Sequence, residues 1–242
     1  MRIIDATVGF LSRLRGGSSA PPVPPLGRAE VERRLAAGEL SFAQADLTGA
    51  DLSALKLADA DLSGAVLRDA RLPVKLAGAD LTRADLSGAN LTRADLSGAT
   101  LTHAVLAGAS LHLADLSDAR AEGASFRGGS LRSALLRAAL LSGADLSEAD
   151  LHRVRGEGVV LAGARLVRAT LAGADLRGAD LTGADLSQAN LTEADLRGAR
   201  VAGASFWRAD LDSVRLEGVE LASADFSEVY NLPRRGADVP GG

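Results

Sequence analysis

The protein has 242 residues, a formal net charge of −4 at pH 7 and only 3% aromatic residues. Aromatic side chains normally fill much of a protein core, so this chain must bury a narrow core of smaller side chains. It contains no cysteine, which excludes disulfides and thiolate metal sites, and it has no apolar run near the roughly 20 residues that span a bilayer.

Residues 1–15 predict an amphipathic docking or targeting segment, because apolar side chains recur at helical spacing beside arginines. These apolar side chains are Ile3, Ile4, Val8, Phe10, Leu11 and Leu14. Residues 16–27 form a flexible linker rich in Pro, Gly and Ser. The segment therefore suits a partner groove or peripheral contact with an anionic membrane surface. A disordered tail, or a helix that lies on the rest of the protein, remains an open alternative. No secretory signal is recognised, which favours a cytoplasmic location.

Residues 28–40 predict a short capping helix. Val31 and Leu35 fall on one side of it, and Gly38 suits its C-terminal end. We expect this helix to cover the start of the segment that follows.

Residues 41–228 repeat with a period of five. The central residue of each unit occupies position 42 and every fifth position to 72, then 76 and every fifth position to 226, with a register break at 72–76. Leucine is central in 31 of 38 units, and alanine stands two positions before the centre in 30. We number the positions of a unit from −2 to +2 about its central residue. A period of five fits neither an α-helix nor a plain strand, so each unit predicts a short strand piece followed by a corner.

The corner residues support this interpretation. Glycine at +2 suits a positive φ, as in a type II turn, and Asp or Asn at −1 suits hydrogen bonds to nearby backbone groups. Four corners would close a coil of twenty residues, and stacked coils would be about 4.8 Å apart. The repeats then predict about nine to ten coils. Residues 229–242 are expected to form a C-terminal cap, in which Tyr230 and Leu232 cover the last coil, and a disordered tail.

The repeat A-[DN]-L-x-x, as in "GADLTRADLSGANLTRADL" from Gly78, resembles the pentapeptide-repeat family over residues 41–228. The resemblance implies an all-β fold, a right-handed four-sided parallel β-helix. Units that depart from the pattern predict compensated packing, because Val154 and Val159 flank the small centre Gly156, and Phe126 follows Ala121. Phenylalanines 126, 206 and 226 are expected to share one inner face.

No group of residues predicts catalysis, so we expect a non-enzyme without metal or cofactor. His112 and His152 would lie on one face about 10 Å apart, too far for a single metal ion. The sequence contains no phosphate-binding loop, and no serine is paired with a base.

The outer surface carries two groups of candidate residues. The first, here called the acidic belt, is Asp175, Asp180, Asp185, Glu193 and Asp195, with Arg177 as the one basic residue of that stretch. Because Asp at −1 is the repeat consensus, the belt can also be a simple consequence of the repeat. The second group places apolar side chains at outward positions, where they predict partner contacts. It consists of Leu135, Leu140, Val160, Val167 and Trp207.

Two functions follow from these features. The first is a non-catalytic protein-binding scaffold or adaptor, whose rigid rod is delivered to a partner or assembly by the N-terminal segment. The alternative comes from the resemblance, which implies a DNA-mimicking inhibitor or protector of DNA gyrase or topoisomerase IV. Basic residues on every face weaken that alternative, because a phosphate mimic should present a continuous negative strip. The sequence does not identify the protein partner. Direct nucleic-acid binding is not expected, and a homodimer is compatible with the pattern.

Overall fold

The computed structural model describes residues 25–232. Its helices are α1, Arg28–Ala36, and a single 3₁₀ turn, Leu221–Ser223. The β-structure consists of isolated parallel bridges, and most of them join residues twenty positions apart, such as Asn90 to Ser110. The chain therefore coils with a period of twenty residues, and each coil pairs with the next.

The core is a single column of leucine and alanine. Leu81 and Ala79 are fully buried, and the same alternation of buried positions 0 and −2 continues through most of the repeats. Positions −1, +1 and +2 lie at the surface, half-buried or exposed, except for the buried Pro73 and Ser147. The predicted facing of the five positions is confirmed.

The corners have the features of type II turns. The amide of Ala84 donates to the carbonyl of Leu81 at 3.0 Å, and Arg83 between them has a φ of 56°. Glycine meets this requirement without strain, yet many corners carry other residues, among them Leu113 at 59° and Ala138 at 52°. The predicted corner geometry is confirmed, and glycine is favoured at +2 without being obligatory.

Aspartate and asparagine at −1 bond the backbone of their own unit, as predicted. The amide of Thr82 donates to Asp80 Oδ1 at 2.9 Å. Asp61 accepts from the amide of Ser63 at 3.0 Å and from its hydroxyl at 2.7 Å. The Ser63 hydroxyl is the main cause that lowers the pKa of Asp61 below its usual value.

The register break shortens one coil by one residue. Asp51 pairs with Arg71, twenty positions later, whereas Arg71 pairs with Asn90, nineteen positions later. The spacing returns to twenty from Lys75 onwards. Val74 is 57% exposed at this step, so the missing residue is absorbed locally and the stack continues.

Four bridge ladders define four faces of the rod. Each ladder follows the outward −1 positions, one residue per coil. Face 1 contains the ladder from Lys75 to Arg215, and face 2 the ladder from Asp80 to Arg200. Face 3 contains the ladder from Asp85 to Asp225, and face 4 the ladder from Asn90 to Tyr230. Because the chain visits them in this order, face 2 is opposite face 4.

The unusual core positions compensate one another, as predicted. A Cβ added to Gly156 would lie 3.1 Å from both Val159 and Leu176, so these side chains already occupy the space that a leucine would fill. On the inner side of face 3, the rings of Phe206 and Phe226 stack with centroids 4.7 Å apart. Phe126 is fully buried.

The ends of the described rod differ. Near its start, Val31 of α1 is buried in the core, and the amide of Leu26 donates to the carbonyl of Asp46 at 2.5 Å. Near its end, Leu232 packs partly against the core. Tyr230 is 56% exposed, so the expectation that it covers the last coil is wrong. Tyr230 stands at position −1, which faces outward throughout the rod.

We predict that Ala138→Gly stabilises the protein. The left-handed backbone costs an alanine roughly 1–2 kcal/mol. Glycine loses more conformational entropy than alanine on folding, which costs about 0.5–1 kcal/mol, so the net gain is up to about 1.5 kcal/mol. Chemical unfolding measures the difference. Ala139→Gly is the matched control, since it removes a buried methyl group and should destabilise. Equal losses for both variants would contradict the corner geometry.

We predict that Asp61→Asn changes the pH dependence of stability. Asparagine occurs naturally at −1, and Asn90 accepts the Thr92 amide at 3.0 Å, so the turn is retained. A carboxyl whose folded pKa is lowered stabilises the protein above its unfolded pKa of about 3.9, and this contribution is lost as the pH falls. The native protein should therefore be more stable than the variant at pH 7, and the difference should shrink below about pH 4. Urea unfolding at pH 7, 5, 4 and 3 measures it, and a constant difference would contradict the account.

Candidate interaction surfaces

Charged side chains on the rod pair with neighbours in the same coil or in the next one. Arg177 lies 2.8 Å from Asp175 in its own unit and 3.6 Å from Glu157, one coil earlier. Its hydrogen bond is the main cause that lowers the pKa of Asp175. Likewise, Arg197 lies 2.7 Å from Asp195. Asp175 and Asp195 on face 1 are thus neutralised within the chain.

The acidic belt is not brought together on one face. Asp175 and Asp195 lie on face 1, Asp180 on face 2 and Asp185 on face 3. Glu193 stands at a corner, at position +2 with a φ of 60°. Residues around the belt add arginines beyond Arg177, since Asp180 pairs with Arg200 at 3.2 Å and Asp195 with Arg197. From the sequence, only Arg177 was considered as a neutralising charge, because Arg197 and Arg200 come just after the last residue of the belt.

The apolar candidates separate into three places. Leu140 and Val160 are bridged neighbours on face 2, whereas Leu135 lies on face 1. Val167 and Trp207 lie on face 3, two coils apart, and both are half-buried. The structure therefore brings together one pair from this group.

The pair on face 2 lies within an uncharged surface, here called the neutral patch. It consists of Leu140, Ser142, Gly143, Val160, Ala162 and Gly163. Gly143 and Gly163 are exposed corners, and nothing lies within 4 Å of a Cβ added to either. Ion pairs bound the patch along the rod. Arg120 and Glu122 lie 3.6 Å apart before it, and Asp180 pairs with Arg200 after it. The patch is flat, smooth and free of charge over two successive coils.

Trp207 is already covered in part. The guanidinium carbon of Arg208 lies 4.5 Å from the centroid of its ring, and Arg208 also pairs with Glu228 at 2.6 Å. Such a cation–π contact screens one face of the indole. Trp207 is therefore a weaker candidate for a partner contact than its size suggests.

Two exposed apolar side chains were missed. Val105 is 40% exposed on face 3, and Leu113 is 43% exposed at a corner. Val105 occupies position −1 as Leu140 does, so the same signal could have found it. Its ladder neighbours are Asp85 and Ser125, so no apolar side chain in its own ladder shields it, in contrast to Leu140 beside Val160.

The histidines are surface groups with ordinary contacts. His112 Nδ1 lies 3.1 Å from the carbonyl of Arg132, so this nitrogen must carry the proton that it donates. His152 lies on the same face two coils later, with Arg132 between them. Within residues 25–232, no group of three or more side chains suitable for a metal ion is found. In the same range, no helix is both long enough and apolar enough to cross a membrane. The predicted docking segment, residues 1–15, lies outside the described residues.

Comparison with known proteins places this geometry in a family. The family of pentapeptide repeats matches residues 41–72, 74–106, 94–132, 130–155, 157–192 and 189–227. No curated protein matches the chain. Among solved structures, the chain is similar to HetL, a pentapeptide repeat protein involved in heterocyst differentiation regulation from the cyanobacterium Nostoc sp. strain PCC 7120. The identity is 37% over 82% of this chain and 96% of HetL, with a TM-score of 0.49.

Two further solved structures are less similar. QnrB1, a plasmid-mediated fluoroquinolone resistance protein, is 17% identical over 78% of this chain and 91% of its own, with a TM-score of 0.33. Rfr23, from the cyanobacterium Cyanothece 51142, is 29% identical over 50% of this chain and 63% of its own, with a TM-score of 0.28. Pentapeptide-repeat proteins form right-handed β-helices and are generally non-catalytic. From the extent of the family match and the twenty-residue parallel bridging, the chain belongs to the pentapeptide-repeat family.

Proposed function

We propose that the protein is a non-catalytic scaffold that binds a protein partner through the neutral patch on face 2. One observation carries this proposal. Across two successive coils, face 2 and both of its corners carry no charge, whereas the coils on either side of them carry the ion pairs of Arg120 with Glu122 and of Asp180 with Arg200. Uncharged, flat surface is the part of the rod that costs least to desolvate on binding.

The patch continues as a smooth edge. Thr182, Gly183, Ala202 and Gly203 extend the same outward positions over two further coils. Four coils cover about 14 Å along the rod, and four extended residues cover about 13 Å across it. This surface suits a flat apolar patch or a short segment of a partner protein. Its area of roughly 180 Å² is well below the roughly 800 Å² per partner of a standard interface, so it would form the uncharged centre of a larger contact.

We also propose that α1 closes the N-terminal end of a rod of about nine to ten coils. The burial of Val31 against the first coil and the bond from Leu26 to Asp46 support this capping role. A covered end prevents the open backbone of the first coil from pairing with another chain. Residues 1–15 would then deliver the capped rod to its partner or assembly, on a linker shorter than the predicted 16–27, because Leu26 is bonded to the first coil.

We predict that Leu140→Asp with Val160→Asp abolishes partner binding and leaves the fold intact. Aspartate is the repeat consensus at −1, so both substitutions restore the pattern of neighbouring coils and only introduce charge into the patch. The native protein would first identify a partner by affinity capture, and calorimetry with the purified pair would then compare variants.

The matched control is Thr100→Asp, which places the same residue at the same position of face 2, two coils before Leu140. This control should bind as the native protein does. Unchanged binding by the double variant, with native melting behaviour, would show that the partner contacts another surface.

The alternative function, DNA mimicry toward gyrase or topoisomerase IV, finds less support in the arrangement of charges. The acidic belt is spread over several faces, and Asp175, Asp180 and Asp195 are each paired with arginine. A mimic of the DNA backbone needs unneutralised charge at regular spacing.

We accordingly predict that the purified protein does not inhibit supercoiling by DNA gyrase at equimolar amounts. A supercoiling assay measures this. The variant Asp175→Asn, Asp180→Asn, Asp185→Asn, Asp195→Asn provides the control. Inhibition by the native protein that this variant loses would establish mimicry and overturn the scaffold proposal.

A further inference from the structure

Face 4 separates its charges along the rod. Its outward positions include Arg132, then Asp150 and Arg153 on the next coil, then no charge at Thr170, Ala172 and Gly173. The next two coils carry Glu193, Asp210 and Asp212. A basic half and an acidic half thus lie on either side of a small, uncharged centre.

The positions of these charges are related by symmetry. Arg153 and Glu193 are both corner residues, one coil before and one coil after Gly173. Arg132 and Asp212 both stand at +1, two coils before and two coils after Ala172. Each basic residue therefore has an acidic counterpart at the same lateral position and the same distance from the central coil.

Most of these groups are not neutralised within the described chain. Arg132 pairs with Asp150 at 3.0 Å, but within residues 25–232 Arg153, Glu193 and Asp212 form no ion pair, and Asp212 accepts only from the hydroxyl of Ser213. On face 1, in contrast, Asp175 and Asp195 are each paired with an arginine of their own unit. Arg153, Glu193 and Asp212 are therefore available to a partner.

We propose that face 4 binds face 4 of a second copy of this chain, with the two rods antiparallel. The two-fold axis would lie in the interface, perpendicular to the rod, at the coil of Thr170. Rotation about it would keep each residue at the same position across the width of the face and would exchange the basic and acidic halves. Arg153 of one copy would then oppose Glu193 of the other, and Arg132 would oppose Asp212. Such an interface is isologous, so each contact would occur twice.

The remaining pairs contain one conflict, since Arg168, at the other edge of the central coil, would oppose its own copy, and its ion pair with Glu148 at 2.7 Å offsets that repulsion. Asp150 would oppose Asn190, His152 would oppose Thr192, and the small Ala172 and Gly173 would oppose their own copies and permit close approach. A parallel arrangement is disfavoured by charge, because a two-fold axis along the rod would keep each half at its own height and so place the acidic half, with Glu193, Asp210 and Asp212, against its own copy.

The area of face 4 limits the affinity of the proposed dimer. From Ser110 to Tyr230 the ladder covers six steps, about 29 Å, and the face is about 13 Å wide, so a dimer would bury roughly 800 Å² in total. Stable interfaces bury about 1,200 Å² or more. We therefore expect a weak dimer that depends on charge and dissociates as salt rises. Because face 2 is opposite face 4, both neutral patches would remain open on the outer sides of the dimer, independently of whether they bind a partner.

Charge reversal tests the proposal. Sedimentation velocity of the full chain, at low salt and up to about 500 µM, should show reversible dimers. Arg153→Glu should weaken association about tenfold or more, because it would create two contacts between like charges. Adding Glu193→Arg to that variant should restore association, since the pair is then reversed in sign. Both residues are tolerated at these corners, as Glu148 and Arg83 show with φ values of 61° and 56°.

Arg83→Glu is the matched control, because Arg83 is an exposed corner arginine between faces 2 and 3, and it should leave the dimer unchanged. A second measurement uses the absence of native cysteine. Thr170→Cys should form a covalent dimer on oxidation, whereas Thr100→Cys on face 2 should not. A monomer at every concentration, association unaffected by Arg153→Glu, or failure of the double reversal to restore it would each overturn the proposal.

Discussion

The structure depends on the burial of a narrow column of leucine and alanine inside coils of twenty residues. Leu81 and Ala79 exemplify the two inward positions, both fully buried. Such a column has no room for larger side chains except where a neighbour shrinks, which is why Val159 accompanies Gly156. The same constraint determines the backbone of each unit. Positions −2 and 0 point inward, so positions −1, +1 and +2 point outward, and +2 is the corner residue with a left-handed backbone.

This arrangement makes residues twenty apart in sequence neighbours in space, and the outer surface follows from it. Ion pairs such as Arg200 with Asp180, and apolar pairs such as Leu140 with Val160, join successive coils of one face. Function in such a rod therefore belongs to flat faces assembled from many units. The neutral patch and the charge-separated face 4 are both of this kind, and they lie on opposite sides.

The period of five was sufficient to predict the coil, its inward and outward positions and its corners. It also predicted the hydrogen bonds from Asp and Asn at −1 to the backbone. Each of these features is determined within one unit or one coil. The candidate sites were predicted less well. The acidic belt is contiguous in sequence, but five-residue steps distribute it around the rod, and Arg197 and Arg200 just after it neutralise part of it. Tyr230 was expected to cover the last coil, although its position −1 faces outward and its side chain is exposed. Val105 carried the same signal as Leu140 and was overlooked.

The central claim is that outward side chains twenty residues apart in sequence are neighbours in space. Thiol cross-linking tests this claim most directly. The protein has no native cysteine, and Ser110 and Ser130 are bridged on face 4, whereas Ser125 lies on face 3. Adjacent rungs are about 4.8 Å apart, within the Cα separation that a disulfide or a short thiol linker spans. The account predicts rapid intramolecular cross-linking of Ser110→Cys with Ser130→Cys, and little for Ser110→Cys with Ser125→Cys. Equal cross-linking of both pairs, or faster reaction of the pair closer in sequence, would contradict it.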